Sequence, residues 1–119
     1  DVSHEYNCTF RAANGTQARA WVFAEPVSRR IATSIARDNR RQPRCRELGG
    51  TPPTFGSPAA ATRCELRRPE RTAVTLSGLF GDAWFSCQVT APAPTSPVET
   101  TRRTEQWCVR VATTLGARP

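Results

Sequence analysis

Apolar and polar positions alternate most clearly near the start of the chain, where EYNCTFRAANGTQARAWVFAE holds two alternating runs about Asn14 and Gly15. An Asn-Gly pair between such runs predicts a β-hairpin. Tyr6, Cys8 and Phe10 fall on one face of the first strand, with Asn7, Thr9 and Arg11 on the other. The second strand, about residues 17–24, has no clean inner face, because Trp21 and Phe23 oppose Ala20, Val22 and Ala24. The period then changes. Pro26 suits a first helical turn and Val27, Ile31 and Ile35 recur every four residues, so a short amphipathic helix is predicted over 26–39, with Arg29, Arg30 and Arg37 pointing elsewhere.

From Cys45 to Cys64 both periods fail, and GGTPPTFGSPAAA reads as a loop. TRCEL, RTAVTLSGLF and DAWFSCQVTA follow as three strands, the first short, with turns at Arg68 and Pro69 and at Gly81 and Asp82. PAPTSP is a stiff connector. Ser96 is a good N-cap, Pro97 a good first helical residue, and Glu99 completes a capping box. Thr101, Thr104, Cys108, Val111 and Leu115 then lie along one stripe of a helix over 97–115, which Gly116 can end. The element order is ββαβββα. It implies one α+β domain over 1–119, a single antiparallel sheet of four or five strands with the helices packed mainly on one face.

Composition adds a constraint on stability. At 119 residues there is room for one core, and 38% hydrophobic with 8% aromatic residues makes that core lean enough for covalent cross-links to matter. The formal charge is +7, from 17 basic and 10 acidic residues, and every basic residue is arginine. Absence of lysine points to a GC-rich gene and so weakens any argument from arginine. The arginines are spread over every element instead of concentrating beside aromatic partners, which favours a solvated basic exterior over a nonspecific polyanion surface, and no specific nucleic-acid partner is expected. No segment approaches the ~18–20 apolar residues that cross a bilayer, and no signal sequence opens the chain, so Asp1 is expected to begin a mature or trimmed form.

The five cysteines carry the clearest chemical instruction. Cys45 and Cys64 bound the irregular loop, and a bridge between them would restrain a segment with no secondary structure of its own. Cys8, Cys87 and Cys108 all point at the core. A helix crossing a sheet reaches a strand more freely than two strands reach each other, which favours Cys87 with Cys108 and leaves Cys8 buried; Cys8 with Cys108 is the rival pairing, since spacing alone does not settle connectivity. A nucleophilic role for the leftover thiol would need a base, and the sole histidine is His4. The bland alternative is a small buried hydrophobe.

Other chemistry fails on counting. One histidine excludes a two-histidine acid–base site, and Glu65, Glu70, Asp82 and Glu99 form no paired-carboxylate pattern. No C-x-x-C and no phosphate-binding glycine loop occur, so neither metal nor cofactor is expected. The triplets at Asn7 and Asn14 fit glycan acceptors in form, but Asn7 lies in a strand and Asn14 is accounted for by the turn.

CTF followed by a Gly-containing hairpin and AWVF, a helix, a Cys-bounded loop running into FGSPAAATRC, then LSGLFGDAWFSC and a last helix with WCVRVA resembles small exported or lipid-anchored proteins of GC-rich actinobacteria. The resemblance implies an envelope or extracellular domain, an α+β sheet packed by helices, that binds or scaffolds an unidentified partner; a monomer without catalytic activity is expected. No lipobox cysteine is present. Its recognition surface would be the loop 49–61, carrying Pro52 and Pro53 and with Phe55 at its tip, or the sheet face carrying Trp84. Phe55 has a second reading, as a loop residue folded back over the core. A secreted peptidase inhibitor presenting the same loop, and a small secreted enzyme of unfamiliar type, are the alternatives.

Overall fold

The expected hairpin forms. In the computed structural model, which describes residues 5–23, 25–48 and 55–114, β1 (Glu5–Arg11) and β2 (Gln17–Phe23) pair antiparallel. Gly15 adopts φ 93°, and Ala12 N–H donates to the Thr16 carbonyl at 2.8 Å, the closing bond of the turn. Then come α1 (Arg29–Arg40), β3 (Cys45–Glu47), β4 (Ala59–Leu66), β5 (Arg71–Phe80), β6 (Ala83–Pro92) and α2 (Pro97–Thr114). The protein is α+β with one antiparallel sheet and two helices.

The sheet has six strands, in the order β1-β2-β6-β5-β4-β3, and not the four or five expected. The chain order is accordingly ββαββββα. The added strand is β3, which sets Cys45 directly opposite Cys64 and Glu47 opposite Thr62. It extends the sheet into what reads as pure loop, because three residues of sequence CRE are too few to show a period.

The helices do not share a face. Registers fix this: Ala20, Leu76 and Cys87 lie in one cross-strand file, beside the file of Ser77, Ser86 and Trp21 that points the opposite way. On the first side Cys108 and Ala112 of α2 pack with Ala20, Phe55, Leu76, Phe80, Phe85 and Cys87. On the other, Ala32 and Ala36 of α1 pack with Val27, Ala60, Leu79 and Trp84. The reason lies in β5 and β6. Both are apolar on alternate and on intervening positions, with Leu76 and Phe80 against Ala73 and Leu79, and Phe85 and Cys87 against Trp84, so each side needs a cover.

Only part of the stripe expected of each helix is buried: Val27 is buried just before α1 and Ile35 packs against the core, and Thr104 and Cys108 are buried in α2, but the rest of each stripe is not. α1 starts at Arg29, since Ser28 is the N-cap and accepts from Ile31 N–H at 3.2 Å; Ile31 is 55% exposed, while Ala32 and Ala36 face the sheet. Small residues let the helix lie close. α2 buries Thr100, Thr104, Cys108 and Ala112, a strict four-residue repeat, whereas Thr101 and Val111 are half-buried and Leu115 lies outside the described residues. Threonine is tolerated there because its hydroxyl bonds the preceding turn: Thr100 Oγ1 donates to the Ser96 carbonyl at 3.1 Å and Thr104 Oγ1 to the Thr100 carbonyl at 2.7 Å.

Two disulfides close, Cys45–Cys64 and Cys87–Cys108, so the rival Cys8–Cys108 pairing does not form. Cys87 and Cys108 are fully buried and tie α2 to the middle of the sheet. Cys8 is free and half-buried, where a buried thiol was expected. It sits on β1, the outermost strand, beyond the cover of α2.

Candidate functional site

Phe55 does not sit at the tip of a presented loop. It is 9% exposed and meets Phe80 and Phe85 edge-on, with ring centroids 4.9 Å and 5.2 Å away. Gly78 makes this possible: a Cβ there would overlap the carbonyl oxygen of Phe55, so the backbone of residues 55 and 56 crosses β5 where a side chain is missing. Ser57 N–H donates to the Leu79 carbonyl at 2.9 Å and Leu79 N–H to the Pro58 carbonyl at 3.1 Å, fixing the crossing. Pro52 and Pro53 lie outside the described residues.

Trp84, the other recognition residue read from the sequence, is 2% exposed and forms part of the wall of an open cleft of about 390 Å³. The cleft occupies the part of the α1 face that α1 leaves uncovered. Its floor is made by neighbouring strands: Thr62 from β4, Thr75 and Ser77 from β5, and Ser86 and Gln88 from β6. Trp21 and Phe23 of β2 form an aromatic wall. Asn39, Gln42 and the Cys45–Cys64 bridge close the opposite side.

The floor is organised. Ser77 and Ser86 hydroxyls lie 2.9 Å apart, and Gln88 Nε2 donates to Thr75 Oγ1 at 2.8 Å while its Oε1 accepts from Thr90 Oγ1 at 3.3 Å. Each hydroxyl and the amide keep donor or acceptor capacity beyond these bonds. The wall is steadied too: the Arg19 guanidinium lies 4.6 Å from the Trp21 ring centroid, and Arg19 Nε donates to Asn7 Oδ1 at 3.4 Å.

No ionisable side chain among the described residues belongs to the floor. Of the charged residues beside it, Glu65 alternates with Cys64 on β4, so its carboxylate lies on the other face of the sheet, where Thr72 Oγ1 donates to it at 3.1 Å and Arg63 lies 3.6 Å away, and Arg44 faces solvent. Among the described residues no three of His, Cys, Asp and Glu come together to hold a metal. The one strongly shifted carboxyl among the described residues is elsewhere: Glu99, at the start of α2, is lowered to about 2 by hydrogen bonds from Arg102 and then Arg103. The cleft offers stacking and neutral hydrogen bonds, the chemistry of holding a ligand.

A second depression, of about 670 Å³, lies between α2 and β5 and is lined by Phe55, Leu76, Val109 and Thr113 among others. Its polar groups, Glu105, Gln106, Arg110, Thr113 and Thr114, all come from one helix, whereas those of the first converge from three strands. The pattern that builds the cleft was visible in part, as Thr75, Ser77, Ser86 and Gln88 interrupt two otherwise apolar strands on one face. What joined them was register, which sequence did not supply.

No family model matches the chain, and no curated protein or solved structure shows a significant likeness to it.

Proposed function

We propose that this chain is an exported, non-catalytic binding domain of the cell envelope or extracellular space, of the kind the resemblance to small exported or lipid-anchored actinobacterial proteins implies, and that the Trp84 cleft receives an uncharged, hydroxyl-rich ligand such as a saccharide unit. The observation that carries the reading is the cleft itself. An aromatic wall suits the apolar face of a sugar ring, a floor of hydroxyls and one amide suits its hydroxyls, and the volume lies within the ~300–1,000 Å³ common for small-molecule sites. The two disulfides fit an oxidising compartment, and no helix among the described residues is long and apolar enough to cross a membrane.

The three tryptophans provide the test, because Trp21 and Trp84 line the cleft while Trp107 lies on the α2 face. Titration of isotope-labelled protein with neutral cell-wall oligosaccharides should move the indole N–H resonances of Trp21 and Trp84 and leave that of Trp107 in place. Gln88→Ala should weaken the response. Saturating oligosaccharide that moves none of the three, or Trp107 alone, would refute the assignment.

A further inference from the structure

β1 ends the sheet, and among the described residues nothing pairs with its outer edge. The opposite edge, β3, is three residues long and carries Arg46 and Glu47. Exposed edges are normally blunted by shortness, proline, a bulge or a central charge. β1 has none of these. Its seven residues read EYNCTFR, with charges only at the two ends, continuous register against β2, and Phe10 58% exposed.

The bond from Ala12 N–H to Thr16 sets the phase of the strand. Ala12 faces its partner, so the even-numbered residues of β1 bond to β2, and the N–H and C=O of Asn7, Thr9 and Arg11 point outward. Cys8 is the middle residue of β1. An antiparallel two-fold about Cys8 therefore pairs the outward groups of Asn7 and Thr9 with those of Thr9 and Asn7 in a second copy. The same register sets position 5 against position 11, glutamate against arginine, and position 6 against position 10, both aromatic. It sets Cys8 against Cys8. Only this register uses all seven residues and sets an acidic position against a basic one at both ends.

We propose that a second copy of this chain adds to β1 in this register and that the two Cys8 thiols close an intermolecular disulfide. A directly opposed pair of this phase has Cα atoms about 4.5 Å apart, within reach of a disulfide. The chain already makes such a bond, since Cys45 and Cys64 are register partners with Cα atoms 4.0 Å apart. The chemistry balances with a disulfide oxidant such as oxidised glutathione. One Cys8 thiolate attacks it and releases a thiol, and the second Cys8 thiolate then attacks the mixed disulfide and releases another. Two electrons leave the cysteines and their two protons end on the released thiols. Two paired strands bury less than a typical stable interface, and the covalent bond offsets this by holding the copies together. This departs from the monomer expected from sequence, and it gives the fifth cysteine a role.

The test is the oligomeric state in a glutathione redox buffer, read by sedimentation velocity and by non-reducing peptide mapping. The expected result is a dimer of the 13.1 kDa chain with a Cys8–Cys8 peptide and both internal disulfides intact. With Cys8 changed to serine, the weaker non-covalent pairing should fall about tenfold further on Arg11→Glu and recover when Glu5→Arg is added. Thr9→Pro removes an outward N–H without breaking the hairpin and should abolish pairing; if that variant fails to fold, the charge exchange decides. A Cys8 that stays a thiol while the other four cysteines are oxidised, or pairing indifferent to the charge exchange, would overturn the proposal.

Discussion

Replacing Gly78 with alanine isolates the least obvious packing feature of the fold. The new Cβ would overlap the Phe55 carbonyl oxygen and stand 2.7 Å from its carbonyl carbon, and the obstacle is backbone, which cannot rotate away. The Phe55 segment must lift. That withdraws a ring that is 9% exposed, worth about 2–3 kcal/mol of burial, and breaks its edge-on contacts to Phe80 and Phe85, worth about 1 kcal/mol more. Strain on the two bonds between Leu79 and residues 57 and 58 adds to this. The expected loss is about 3–5 kcal/mol, a large part of the ~5–15 kcal/mol available to a small domain. Gly81→Ala is the control: φ is 65° there but nothing lies within 4 Å of the added methyl, so only the left-handed backbone cost of about 1 kcal/mol applies.

Urea denaturation of the oxidised protein measures both, and a double-mutant cycle with Phe55→Ala tests the mechanism. Phe55→Ala alone should cost about 3–5 kcal/mol. Once Gly78→Ala has displaced the ring, truncating it should cost little more, giving a coupling of about 2 kcal/mol or above. A Gly78→Ala loss below about 0.5 kcal/mol, as for an ordinary surface change, or simple additivity, would show that Phe55 does not depend on this crossing.

The two disulfides close loops of similar length, with separations of 19 and 21 residues, and chain entropy assigns each about 3 kcal/mol. Cys87→Ala with Cys108→Ala should nevertheless lower the urea midpoint more than Cys45→Ala with Cys64→Ala, because only the first pair is fully buried and leaves a cavity; equal shifts would refute this. Glu99 has its carboxyl held at about 2 against 4.5, so the unfolded chain binds more protons between those values: its contribution is whole above about pH 4.5 and lost as pH falls toward 2. Glu99→Gln should flatten that part of the stability–pH curve, and an unchanged slope would contradict it. Ala36→Leu should cost about 1–3 kcal/mol by overpacking the close approach of α1 to the sheet, seen as a lower melting temperature.

Much of this fold is legible in the residues where one local rule acts alone. Asn14 and Gly15 make a turn by backbone preference, Ser96 caps α2 by accepting from Glu99 N–H at 3.0 Å, and the Cys45–Cys64 bridge follows from its loop, whereas sequence favours Cys87–Cys108 over Cys8–Cys108 without fixing it, since Cys8 shares that layer. The failures come where small or polar residues do the packing. Ala32 and Ala36 were passed over for Ile31, and Thr100 lies one position from the expected Thr101, because hydrophobicity ranks residues by size and ignores a hydroxyl bonded to its own helix. β3 is too short for a period, and Phe55 reaches the core only through the gap at Gly78, a contact between segments remote in sequence. The cleft is a register property. Its polar residues converge only because pairing sets Ser77 against Ser86 and Thr75 against Gln88.

A sheet covered on both faces explains how so lean a composition suffices. Alanine at the α1 contact and threonine, cysteine and alanine at the α2 contact bring backbones close, so two thin layers replace one thick core. Thin layers bury less apolar area per residue, and each is held by its own bridge: Cys87–Cys108 fastens α2 to one face, while Cys45–Cys64 fastens β3 beside the cleft on the other. Neither helix covers the outer strand of the first hairpin, apart from the edge-on contact of Phe10 with Trp107 at 5.4 Å. The one thiol left free lies there, on the strand whose backbone and side chains have the most to gain from a partner.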